Sequence, residues 1–148
     1  EKQKPLPPLD WSKGVSYAAF WHARDIGPKG LMQHDGTDGS NPGTRINKYI
    51  ESKGWAENIA AGNEKAQDIV IQLIVDDGVK SRGHRKNIFS DKMKIFGCYT
   101  WLDEAEIQKP LTVLDYSDEY DDHRRQGQPF EELALDGRAS YYKYLFTK

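Results

Sequence analysis

Two imidazoles and one carboxylate stand out as residues able to bind a metal or move a proton: His34, Glu57 and His84. Neutral imidazoles with one or two carboxylates make a donor set for Zn2+ or another divalent ion. Three protein ligands plus a water would be the catalytic arrangement, and an unliganded acid beside them would serve as general base. The three residues lie on distant segments, so no local ligand spacing supports a metal site by itself. Glu57 also has an architectural reading, as a carboxylate beside Asn58 that accepts hydrogen bonds from loop backbone. No activated nucleophile is evident. Ser40 and Ser81 lie near the histidines in sequence, but neither sits in a Gly-x-Ser-x-Gly turn.

The elements that must carry these residues follow from periodicity and punctuation. Residues 1–8 are charged and then Pro-rich, an extended lead-in. Asp10 or Ser12 can cap a helix whose apolar face carries Val15, Ala18, Ala19 and His22, and Gly27-Pro28 ends it. His22 on that face reads as a hydrogen-bonded core or cleft-wall histidine. Residues 31–42 form a turn-rich loop that holds His34, and Asn41-Pro42 starts a second helix expected to run to about Lys53. Trp55 to Ala61 is a short strand bearing Glu57. Asn63 can cap a helix over residues 64–77, with Ala66, Ile69, Val70, Leu73 and Ile74 along one side. Residues 81–87 read as a basic, Gly-containing loop that holds His84. Residues 94–102 and 112–116 read as strands that pair antiparallel. The single cysteine, Cys98, falls in the first of these and reads as a small buried hydrophobe.

The chain has 148 residues, one domain's length, and can bury about 70% of its unfolded surface without a staple. One cysteine allows no internal disulfide. A net charge of −2 supplies no basic field for nucleic acid, and the run from Lys80 to Lys86 reads as a solvated loop. No apolar run approaches the roughly 20 residues of a membrane span. The first residue is Glu rather than Met, so the chain is read as processed or truncated.

The motifs His34…Asp38-Gly39-Ser40-Asn41-Pro42…Arg45, Ala56-Glu57-Asn58-Ile59-Ala60 and Asp76-Asp77-Gly78…Arg82-Gly83-His84-Arg85-Lys86-Asn87-Ile88-Phe89 occur in this order. Together they resemble the CAP superfamily of cysteine-rich secretory, antigen 5 and pathogenesis-related proteins (the SCP domain), in its cysteine-poor bacterial and protist form. The resemblance covers residues 9–116. It implies a three-layer α-β-α sandwich with a small antiparallel sheet, and a cleft shared by His34, Glu57 and His84. Asp38 best matches the fourth cleft position, an acid shortly after the first histidine. His34 and His84 are then the candidate metal ligands, Zn2+ or another divalent ion the candidate cofactor. The resemblance implies an extracytoplasmic location. The missing disulfides fit an intracellular assembly component equally well.

Residues 117–148 are a C-terminal tail, and its part over residues 129–148 has no counterpart in the resemblance. They run from a charged stretch into an aromatic end, with Phe130, Tyr141, Tyr142, Tyr144 and Phe146 as expected anchors for a protein partner. Three functions are thus expected, in this order. The first is a non-enzymatic binding or structural subunit docked through its tail. The second is a metal-dependent hydrolase or metal-linked ligand binder using the cleft. The third, from the resemblance alone, is a carrier of a small apolar ligand such as a sterol or fatty acid.

Overall fold

The computed structural model describes residues 3–103 and 108–119. A two-residue strand β1 (Asp10–Trp11) leads into helix α1 (Lys13–Ile26). Ser12 caps α1 by accepting a hydrogen bond from Val15 N at 3.2 Å. The buried side of α1 carries Val15, Ala18, Ala19, His22, Ala23 and Ile26, the i, i+3, i+4 stripe of an amphipathic helix. A 3-10 turn over Gly27–Lys29 ends it.

Helix α2 (Pro42–Ile46) starts as the Asn41-Pro42 signal predicts, with Asn41 accepting from Thr44 N at 2.9 Å. It stops at Ile46, well short of the expected Lys53. The cause is Asn47: its amide donates to the Gly43 and Ser52 carbonyls and its oxygen accepts from Ser52 N, folding residues 47–52 into a turn. Strand β2 (Trp55–Ala61) and helix α3 (Ala66–Val75) follow. Asn63 does not cap α3; its side chain donates to Gln72 instead. Of the five residues expected along one apolar side of α3, Ile69 and Leu73 are buried and Val70 is exposed. The stretch expected to be a basic loop contains a short helix, α4 (Gly83–Ile88). Strands β3 (Ile95–Trp101) and β4 (Leu111–Ser117) are the last of the described elements.

The sheet order is β1-β3-β4-β2. The three longer strands pair antiparallel over seven residues each, whereas β1 adds to β3 in parallel through Asp10 and Trp11. Strand alternation splits the core into two layers. On one face Ile59, Leu111 and Val113 pack on Ala19, Ala23 and Ile26 of α1. Next to them Val15, Ala18, Ile46, Ile50 and Ile95 join α1 to α2. On the other face Ala60, Leu114 and Tyr116 pack on Ile69 and Leu73, with Ile88 of α4 beside them. This is the α-β-α sandwich. Cys98 lies on the α3 face, partly rather than fully buried against that layer. The approach of α1 to the sheet is set by Gly97. A Cβ there would stand 2.1 Å from Ser16 N and 2.4 Å from the carbonyl carbon of Val15.

Candidate functional site

Strand β2 is an edge strand, and its adjacent residues Glu57 and Asn58 point to opposite faces. Each organises one polar cluster.

Glu57 lies on the α1 face with its side chain 1% exposed. Arg45 Nη2 donates to Oε2 at 2.6 Å, and His34 Nδ1 donates to Oε1 at 2.7 Å. His22 Nε2 stands 3.8 Å from the same Oε1 and hydrogen-bonds the Gln33 carbonyl at 2.9 Å. Because a carbonyl only accepts, that bond puts the His22 proton on Nε2, and the other ring nitrogen is buried without a partner. Burial, opposed by the Glu57 charge, lowers the pKa of His22, so this ring is neutral. His34 is shifted the other way, because its hydrogen bond to Glu57 favours the charged ring over the cost of partial burial.

Arg45 is the hub of this cluster and is itself buried. Besides Glu57, its guanidinium donates to the His34 carbonyl at 3.0 Å and to the Ser40 carbonyl at 2.8 Å. It thereby holds both ends of the loop that delivers His34, using the fork of donors that Arg alone offers. Asp25 of α1 holds the middle of that loop through Thr37 N at 2.7 Å and Thr37 Oγ1 at 2.6 Å. Asp38, the expected fourth cleft residue, is exposed and accepts from Ser40 N at 2.9 Å, shaping the turn. Its hydrogen bonding involves neither Glu57 nor a histidine.

On the other face, Asn58 is fully buried. Its amide donates to the His84 carbonyl at 3.1 Å and to Tyr116 Oη at 3.2 Å, and its oxygen accepts from Asn87 at 2.8 Å. Asn87 also donates to the Glu57 carbonyl at 3.2 Å. Helix α4 is thus stitched to the strand that carries Glu57. The His84 ring bonds through Nδ1 to Asp76 Oδ1 at 2.7 Å. Asp76 ends α3 in a left-handed conformation at φ 52°. Its second oxygen accepts the amides of His84 at 3.0 Å and Arg85 at 3.3 Å, the free N–H groups of the first turn of α4. Burial works against this carboxylate, but the hydrogen bonds from His84 and the two amides hold its pKa below the usual range. The flanking arginines are capping groups as well. Arg82 donates to the Val75 and Asp76 carbonyls, and Arg85 to those of Ile74 and Val75, at the negative end of α3.

The structure therefore ties His34 to Glu57 and His84 to Asp76, and links the two pairs through Asn58 and Asn87. Each histidine spends Nδ1 on a buried carboxylate and keeps Nε2, the pattern in which a carboxylate orients an imidazole for an ion or ligand on its far side. The carboxylates themselves are occupied in this way. Among the described residues no group of three or more His, Cys, Asp or Glu is placed to hold a metal. The described residues thus supply no three-ligand set for a divalent ion.

Arg45, Asp76 and Asn87 carry much of this geometry although residue-type reasoning gave them no role. A cationic residue inside a short Asn-Pro helix and an acid two residues before a Gly were the available signals. The expected anchors Phe130, Tyr141, Tyr142, Tyr144 and Phe146 lie outside the described residues.

Comparison with known proteins agrees with this architecture. The CAP profile, described as the cysteine-rich secretory protein family, matches residues 2–116. No characterised protein matches the chain in sequence. Among solved structures, an outer surface protein from Borrelia burgdorferi is similar at 21% identity and TM-score 0.63, over 77% of this chain and 80% of that one. An extracellular SCP-domain protein from Bacillus anthracis is similar at 22% identity and TM-score 0.59. The match spans 77% of this chain and 35% of that one, so the chain spans about a third of the larger protein. At such identities these two structures speak for the fold. The profile covers most of the sequence, and the chain belongs to the CAP (cysteine-rich secretory protein) family.

Proposed function

We propose that this chain is a non-catalytic CAP module that binds a partner, and that the Glu57 cluster shapes its binding loop. The observation that carries this reading is the occupancy of Glu57, whose two oxygens are taken by Arg45 and His34 in a side chain 1% exposed. A general base must reach its substrate, and a carboxylate buried to this degree does not. Among the described residues, none of the His22, His34 and His84 rings is hydrogen-bonded to a hydroxyl or thiol. What the cluster does is hold the His34 loop at three points, a use suited to presenting a surface. The aromatic segment 129–148 supplies the docking anchors in this reading. The test is the native size of the protein in an extract of its source, for the full chain and for a chain lacking residues 129–148. A complex well above the 16.9 kDa of the chain, lost on truncation while the domain stays folded, is expected. A full-length monomer, or a truncated chain that assembles normally, refutes it.

One observation favours a second reading, a metal-linked ligand site: the paired His34 and His84 each keep Nε2 free of their carboxylate. Titration calorimetry with Zn2+ should then give one ion per chain and none in the His34→Ala, His84→Ala double variant. Equal uptake by both proteins rules it out.

A further inference from the structure

Asp115 sits in the middle of β4 without an evident use. It is fully buried, and among the described residues no N–H or hydroxyl group donates to either of its oxygens. Its direct neighbour across the sheet is Glu57, and on its other side stands Gly97. Side chains of directly opposed residues in an antiparallel pair lie about 5 Å apart at Cβ. Both carboxyl groups point to the face covered by α1, and both residues are buried there.

Charge accounting decides the state of this pair. The groups that face it are Arg45 from α2, His22 from α1 and His34 from the loop. Arg45 and His34 both place their donors on Glu57, not on Asp115. His22 is neutral and its proton points to Gln33. One buried anion is therefore compensated by hydrogen bonds and the second is not. Two like charges so close in a dry site cannot both be retained.

We propose that Asp115 is held as a neutral carboxylic acid at pH 7, and that its proton keeps Glu57 the single anion on which Arg45 and His34 converge. Burial and the adjacent Glu57 charge both act in this direction, with Arg45 opposing, and the pKa of Asp115 is raised. Arg45 and His34 both donate to Glu57 and stabilise the charge there, so the proton belongs to Asp115, whose carboxyl is placed to hydrogen-bond Glu57. Asp115 is in this sense a positioning residue, and its role is independent of whether the module binds a protein or an ion.

The sign of the linkage is fixed by the direction of the shift. The unfolded chain releases this proton near pH 4, whereas the folded chain keeps it. Stability conferred at this position therefore falls as pH rises above about 4, by a factor of about ten in the folding equilibrium per pH unit. Infrared spectroscopy of the full chain carrying carboxyl-labelled aspartate provides the direct test. The expected result is a protonated-acid carbonyl band at pH 7 that is present in the folded protein, lost in urea and absent from Asp115→Asn. Denaturant titrations should show Asp115→Asn gaining on the wild type as pH rises from 4 to 7. A folded wild type with no such band at pH 7 overturns the proposal, as do stability curves for the two proteins that run parallel across that range. The labelled wild type answers the question by itself if the variant fails to fold.

Discussion

Replacing Arg45 by Met removes the cation that joins Glu57 to both ends of the His34 loop. The side chain is 5% exposed and that of its partner carboxylate 1% exposed, so solvent cannot replace the lost donor at Glu57. Breaking a buried pair by deleting one partner costs about 3–5 kcal/mol. The two loop carbonyls lie nearer the surface and can be rehydrated, so they add little. For a domain stable by roughly 5–15 kcal/mol, the loss is about a fifth of the total or more. Urea unfolding followed by tryptophan fluorescence would show it as a midpoint lowered by about 1–3 M at an unchanged slope. Arg45→Lys should recover only part, because one ammonium cannot serve the three acceptors that the fork reaches. The companion variant is Arg45→Met with Glu57→Gln. Removing both charges leaves no stranded anion, so the double variant should be more stable than Arg45→Met alone. A midpoint shift below about 0.5 M, or strictly additive losses in the double variant, would refute the placement of Glu57 as a buried anion held by Arg45.

Other outcomes follow from the same geometry. Gly97→Ala should destabilise by about 3 kcal/mol or more, since the new methyl meets the backbone of Val15 and Ser16 rather than a movable side chain; thermal melting reads this directly. Asp76→Asn keeps the left-handed backbone that Asn tolerates but weakens the hold on His84 and the first amides of α4, at a cost of about 1–3 kcal/mol. Because the folded-state pKa of Asp76 is depressed, its contribution is present above about pH 4 and fades as pH falls through the folded value; the variant should show a flatter acid limb in pH-dependent melting. Burial pushes the Cys98 thiol up to about 11, so alkylation of the folded protein at pH 8 should be far slower than in urea.

Local patterning made most of the sandwich legible. The stripe from Val15 to Ile26, the Asn41-Pro42 start and the alternating strands all declare themselves within a few residues of sequence. What escaped is what depends on distant partners. Helix α4 has no local capping residue; its first amides are satisfied by Asp76, eight residues earlier, so its sequence reads as a loop. Helix α2 is cut short by the side chain of Asn47, which competes for backbone groups that a longer helix would use. In the site, punctuation put His34 on a loop and Glu57 on a strand, but it put His84 on a loop where a short helix stands. It could not reveal that Arg45 bridges the first two or that the acid beside His84 is Asp76. Asp115 did leave a signal, an acid within a strand of Val, Leu and Tyr where acids are depleted.

The Asp76 carboxylate also has a kinetic side. Asp76 ends α3 with its backbone and caps α4 with its side chain, while Arg82 and Arg85 reach back from α4 to the last carbonyls of α3. Neither helix end can be released without stranding polar groups of the other. The two helices should therefore behave as one cooperative opening unit, with the amides of residues 73–76 and 86–88 exchanging with solvent deuterium at a common opening free energy. That unit is also stitched through Asn58 and Asn87 to the edge strand bearing Glu57, so its opening exposes one side of β2 while the Arg45 clamp on the opposite face stays closed.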